Sequence, residues 1–195
     1  MIPAFLLIIV AVAYRILTGL AITAGTTWLS NFAPLAAIAL CGAAYFPARY
    51  KFTVPLIALF ISDIVLNVHY SAPMLHPLIG CRYLALIVVG ILGWALANRA
   101  SWKTLLPASL AGSVLFYLIT NAFAWLSDPG YVKNFAGLVQ ALTVGLPQYS
   151  STPSWMFFRN AVLSDLLFTG LFVLCIKWGR SPALAGASSA LPRPI

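Results

Sequence analysis

Charge is scarce in this chain, and acidic charge scarcest: of 195 residues, 7% are Asp, Glu, Lys or Arg, and three of them are acidic. So little charge excludes an ordinary soluble fold. Cysteine is equally sparse, with three residues, Cys41, Cys81 and Cys175, too few for a disulfide framework. There is no zinc-ligand spacing, P-loop, Gly-x-Ser-x-Gly or dinucleotide fingerprint, which excludes nucleotide hydrolysis by the chain itself. Met1 to Val12 lacks the cationic stretch that precedes the core of a signal peptide. Although Ala11-Val12-Ala13 mimics a cleavage site, this segment reads as a retained first span.

Apolar residues fill the space: 62% of the chain is hydrophobic and the mean hydropathy is +0.98. Apolar stretches repeatedly approach the roughly 20 residues needed to cross a bilayer, and in lipid the backbone must satisfy itself as helix. The expected fold is an all-α integral membrane protein with transmembrane helices at 3–22, 31–47, 52–69, 77–97, 104–126 and 155–176. These six form one domain, 1–180, followed by a mobile cytoplasmic tail, 181–195, rich in Ala, Ser and Pro.

The cations alternate between loops. Arg49 and Lys51 follow span two, Arg99 and Lys103 follow span four, and Lys177, Arg180 and Arg193 follow span six, whereas the other side has only Lys133. The positive-inside rule places both termini in the cytoplasm and segments 23–30, 70–76 and 127–154 outside. The net charge of +8 therefore marks orientation; the expected partner is the lipid bilayer, with no nucleic acid.

Arg15, Asp63, Arg82, Arg159 and Asp165 fall in the outer half or near mid-depth of their spans. Each costs roughly 2.5–3.5 kcal/mol at the centre of a bilayer, so they must pair or line a wet cavity. Two carboxylates against three guanidiniums leave an excess of +1, which suits an anionic or amide-rich ligand. Asp165 is expected to pair with Arg15, and Arg159 to reach a ligand. Asp63, Asn67 and Tyr70 share one helix face, with His69 beside them, and Tyr117, Asn121, Trp125 and Asp128 repeat the pattern on span five. The two stripes are expected to form opposing walls; the alternative is hydrogen bonding between helices, about 0.6–2 kcal/mol each.

Tyr131, Phe135, Leu138, Leu142 and Leu146 recur at helical intervals and predict an amphipathic outer helix, acting either as a lid hinged near Gly145 or as an interfacial anchor. Cys81 is the thiol nearest the expected cavity, preceded by His76 and followed by Arg82 and Tyr83. Beside a guanidinium, a thiolate is favoured that binds soft metals or attacks electrophiles; the plain alternative is a small buried hydrophobe.

The run Asn31-Phe32-Ala33-Pro34-Leu35-Ala36-Ala37-Ile38-Ala39-Leu40, with Gly42 to Phe46 and Ile61-Ser62-Asp63, resembles blocks of a family of small six-span bacterial proteins. Thr120 to Ser127, Phe158-Arg159-Asn160 and Ser164 to Thr169 are similar to its other recurring blocks, so the likeness covers about residues 11–175. These proteins look like the substrate-binding S components of energy-coupling-factor (ECF) vitamin transporters, and the chain looks most like the solitary cobalamin transporters. The resemblance implies an inner-membrane uptake protein that binds a vitamin, cobalamin, in an outward-facing pocket, with no intrinsic cofactor. It implies that Cys81 is the axial ligand of the corrin cobalt and that Asp63, Tyr83 and Arg159 bind amide or phosphate groups. A thiolate there would also displace a weak upper ligand such as cyanide. The first span, with Ala11, Ala13 and Arg15, departs from the small-xxx-small stripe that docks a coupling module, so either the protein works alone or a module recognises another surface such as Ala39 and Ala43. The remaining readings are a non-catalytic accessory subunit of a larger membrane complex and a thiol enzyme, for which no orienting acid accompanies Cys81.

Overall fold

In the computed structural model, residues 2–23, 31–71, 73 and 76–180 are described. The tail expected at 181–195 and most of segment 23–30 lie outside them. The elements are α1 (Ile2–Thr23), α2 (Leu35–Tyr45), α3 (Thr53–His69), α4 (Pro77–Ala95), a 3-10 turn (Ala97–Arg99), α5 (Trp102–Ser127), α6 (Phe135–Leu142) and α7 (Ser154–Arg180). No strand occurs among the described residues. Three helices, Pro77–Ala95, Trp102–Ser127 and Ser154–Gly179, are long and apolar enough to cross a membrane.

Local chemistry sets the helix starts. Pro77 occupies the first turn of α4, where its missing N–H costs nothing, and His76 Nδ1 accepts the Leu78 N–H at 3.2 Å. Ser101 and Thr104 form a capping box at α5. Asn134 Oδ1 accepts the Gly137 N–H at 2.9 Å at α6. Helix α2 has no such cap, since Pro34 stands at its N-cap.

Helix α2 is the centre of the bundle, packed on α3, α4, α5 and α7. Residues Ala36 to Ala44 are all buried, as expected for a helix that is apolar all round. Its 11 residues span only about 16 Å, shorter than the expected 31–47, because Asn31 to Pro34 form tight turns closed by the Ala33 N–H on the Asn31 carbonyl and the Leu35 N–H on the Ala33 carbonyl, and the chain leaves helix at Phe46 before Pro47. Small residues let the neighbours approach: a Cβ on Gly93 of α4 would stand 2.1 Å from the Leu40 carbonyl oxygen. Burial also corrects the docking surface expected at Ala39 and Ala43, which are 5% and 0% exposed and held inside the bundle.

Helix α1 buries Ala4, Ile8, Ala11 and Arg15, one face at helical spacing, against α3 and α7. Phe5 stacks on Phe46 at 4.8 Å, and Phe46 meets Phe172 at 5.9 Å, tying the start of α1 to the ends of α2 and α7. Lys51 lies over the Trp94 ring, so the loop before α3 meets the end of α4. Arg49, Lys51, Arg99 and Lys103 thus collect at one end of the bundle.

Candidate functional site

Burying ionised side chains among apolar helices is tolerated only with partners, and Asp63 has two. On α3 its Oδ1 accepts from Arg15 Nη2 of α1 at 2.6 Å and from Arg82 Nη1 of α4 at 3.0 Å. Arg15 Nη1 also donates to the Ser62 hydroxyl, which in turn donates to the Leu59 carbonyl at 2.8 Å. Asp63 Oδ2 is buried and has no hydrogen-bond partner. Three helices therefore meet at one carboxylate, with a net charge of +1.

Helix α3 leans on α1 and α2, while α4 leans on α2 and α5, so the two stand apart. The gap is an open cleft of about 530 Å³ lined by Phe60, Asp63, Asn67, His76, Ile79 and Tyr83, among others. Of the residues singled out from the sequence, Asp63, Asn67, His76 and Tyr83 line it, and Arg82 reaches Asp63 without being part of the lining. Tyr70 sits one turn higher and donates to the Gly19 carbonyl at 2.5 Å, with the His69 ring against its own at 5.3 Å.

The expected pairing of Asp165 with Arg15 is corrected, since Arg15 belongs to Asp63. Asp165, 2% exposed on α7, instead accepts the Ala37 N–H in the first turn of α2 at 2.9 Å through Oδ1 and the Ser113 hydroxyl of α5 at 2.8 Å through Oδ2. The uncapped amino end of α2, with its orphan N–H groups and positive dipole end, takes the place of the cation. Beside Asp165 lies a second cavity of about 310 Å³, walled by Asn31, Tyr117, Thr120, Asn121, Ser154 and Phe157, among others.

The two polar stripes do not face each other. Asp63 and Asn67 line the α3–α4 cleft and Tyr117 and Asn121 the α5–α7 cavity, with α2 and α4 between them. Much of the α5 stripe holds the outer segment: the Tyr117 hydroxyl donates to the Leu142 carbonyl at 2.6 Å and Trp125 Nε1 to the Val132 carbonyl at 2.9 Å. Asn121 donates to the Tyr117 carbonyl at 2.9 Å.

The outer helix exists, with Tyr131 buried and Leu138, Leu142 and Leu146 half-buried on the expected face, and Phe135 alone of the five turned outward. Phe135 is 79% exposed, and Gly137 and Ala141 are buried instead. A Cβ on Gly137 would lie 1.9 Å from the Val132 carbonyl oxygen, so only glycine allows this close turn. Tyr131, 8% exposed, has its phenol raised above the usual 10.0 by burial first and then by Asp128.

Cys81 is buried against α5, its Sγ 3.8 Å from the Ile119 carbonyl oxygen, and lines neither cavity. Arg159 is exposed, donating to Asn160 Oδ1 at 3.1 Å and lying over the Trp155 ring. Among the described residues no three His, Cys, Asp or Glu side chains group as a metal site. Ser62, Ser113 and Thr120 are the site residues that sequence reasoning passed over; Ser109 and Ser113, four apart on α5, were the signal available.

A family model described as a family of unknown function, DUF6580, matches residues 1–184. The chain belongs to DUF6580. Among curated proteins and among solved structures, nothing matches it. This DUF6580 chain thus offers an open cleft between α3 and α4 with Asp63 of the charged cluster in its wall, and a cavity between α5 and α7 whose carboxylate, among the described residues, has no ion pair.

Proposed function

We propose that the chain is a six-crossing membrane uptake protein that receives a vitamin-like molecule, a corrinoid such as cobalamin, in the cleft between α3 and α4. The observation that carries this reading is an open cleft of about 530 Å³, within the usual size range of ligand pockets, with Asp63 in its wall and Arg15 and Arg82 paired to that carboxylate. The residual positive charge of the cluster attracts phosphate. Asn67 and Tyr83 supply further polar contacts on the walls. The basic end faces the cytoplasm, the cleft faces outward, and the membrane is a bacterial inner membrane.

The Cys81 thiol joins this seat as a cobalt ligand only when α4 turns it away from Ile119. The Asp63 cluster is therefore the primary contact and the thiol a later one. The energy source is separate from the chain, and no coupling module docks through Ala39 and Ala43.

The test is the visible absorption of the purified protein after growth with and without cobalamin, and its change on adding cyanocobalamin. A corrinoid band that travels with the protein is expected. A colourless preparation with no change on addition overturns the reading in favour of an accessory subunit. Unchanged spectrum and affinity in Cys81→Ala would remove the thiol's role and the loss of cyanide, leaving the cleft intact.

A further inference from the structure

The α5–α7 cavity holds a carboxyl group built to be content in either protonation state. Ser113 has one hydroxyl hydrogen but two acceptors within reach, Asp165 Oδ2 at 2.8 Å and the Ser109 carbonyl at 3.0 Å. When Asp165 is ionised, the hydrogen goes to Oδ2. When Oδ2 carries a proton, Asp165 donates to Ser113 Oγ and the Ser113 hydrogen swings to the Ser109 carbonyl. Oδ1 keeps the Ala37 N–H in both states. The exchange breaks one hydrogen bond and makes another, so a proton is bound or released without stranding a buried polar group.

No cation pins the group ionised. Both ion pairs among the described residues end on Asp63. The titratable or charged groups on the elements packed against α7 are Tyr14 and Arg15 of α1, Cys41 and Tyr45 of α2 and Lys103 and Tyr117 of α5, while α6 contributes none; Arg159, Cys175, Lys177 and Arg180 are on α7 itself. Arg15 is held by Asp63, and Arg159 is outside, on Asn160 and Trp155. The cavity of about 310 Å³ supplies the route by which a proton arrives. Carboxylates inside membrane helices mark proton relays when they line such a space.

We infer that Asp165 is a proton-binding site, with Ser113 as its hydrogen-bond switch, which makes this protein proton-linked. The inference is independent of the cargo. A proton passes from solvent to Oδ2 and returns by the same route or onward when the neighbouring helices shift.

With only three acidic side chains in the chain, infrared difference spectra between acid and alkaline forms of the full-length protein in lipid nanodiscs resolve each carboxyl. Among the protonated-carboxyl bands that appear on acidification, one is expected to be lost in Asp165→Asn, to persist in Asp128→Asn and Asp63→Asn and to shift in Ser113→Ala. Asparagine mimics the protonated form, accepting from Ala37 and donating to Ser113, so this variant keeps its fold. Retention of the band in Asp165→Asn, its loss in Asp63→Asn, or a Ser113→Ala spectrum identical to the parent's overturns the assignment.

Discussion

Arg15 and Asp63, 48 residues apart, meet through a single carboxylate oxygen at 2.6 Å, and that contact joins α1 to α3 inside the bundle. The second arginine on the same oxygen, Arg82, has a side chain 30% exposed against 10% for Arg15. The three members of the cluster are therefore unequal.

Removing Asp63 strands two cations, removing Arg15 leaves the carboxylate one partially exposed partner, and removing Arg82 leaves the buried pair whole. Thermal unfolding in one detergent is expected to rank the losses Asp63→Asn above Arg15→Met above Arg82→Met, with about 3–5 kcal/mol for Arg15→Met. An equal effect of the two arginine variants would contradict this order.

Gly93→Ala would place its Cβ 2.1 Å from a backbone carbonyl of α2 that has no room to retreat. The helices must separate, and a loss of about 1–3 kcal/mol or more in unfolding free energy is expected. Gly170→Ala, where nothing lies within 4 Å, is the control and should be neutral or gain up to about 1 kcal/mol from helix propensity.

Tyr131 has its phenol raised by burial, so it is neutral where the outer segment is docked. Its contribution is complete below the unfolded value of about 10 and is lost as pH rises through the higher folded value. Limited proteolysis of segment 128–153 should accelerate above about pH 10 in the parent protein, and this alkaline acceleration should weaken in Tyr131→Phe.

Asn67→Ala and Tyr83→Phe each remove one polar contact from the α3–α4 cleft and should weaken cyanocobalamin binding about 5–10-fold by equilibrium titration. Asn121→Ala alters the other cavity and should leave that affinity unchanged. The opposite pattern would move the cargo to the α5–α7 cavity.

The helical character of the chain was legible because apolar run length is written residue by residue: the expected 52–69, 77–97 and 104–126 became Thr53–His69, Pro77–Ala95 and Trp102–Ser127. The short α2 was not, since an apolar run through Asn31 to Pro34 reads the same whether it continues the helix or folds into the tight turns found there. Asp165 misled for a different reason. Counting side-chain charges offers it only arginines, whereas its positive partner is the backbone of α2, which no charge count includes. Periodicity placed Asp63, Asn67 and Asn121 on polar faces but could not say which faces meet. Phe135 shows the same limit, being part of an apolar repeat whose other members are buried or half-buried, yet itself exposed.

The acceptor for the Ala37 N–H is supplied 128 residues later in the chain. During synthesis the central helix is therefore made long before its own terminus can be completed, and the bundle closes only once the final helix has left the ribosome and slid into place. A chain cut short before Asp165 lacks that acceptor, however many helices precede the break.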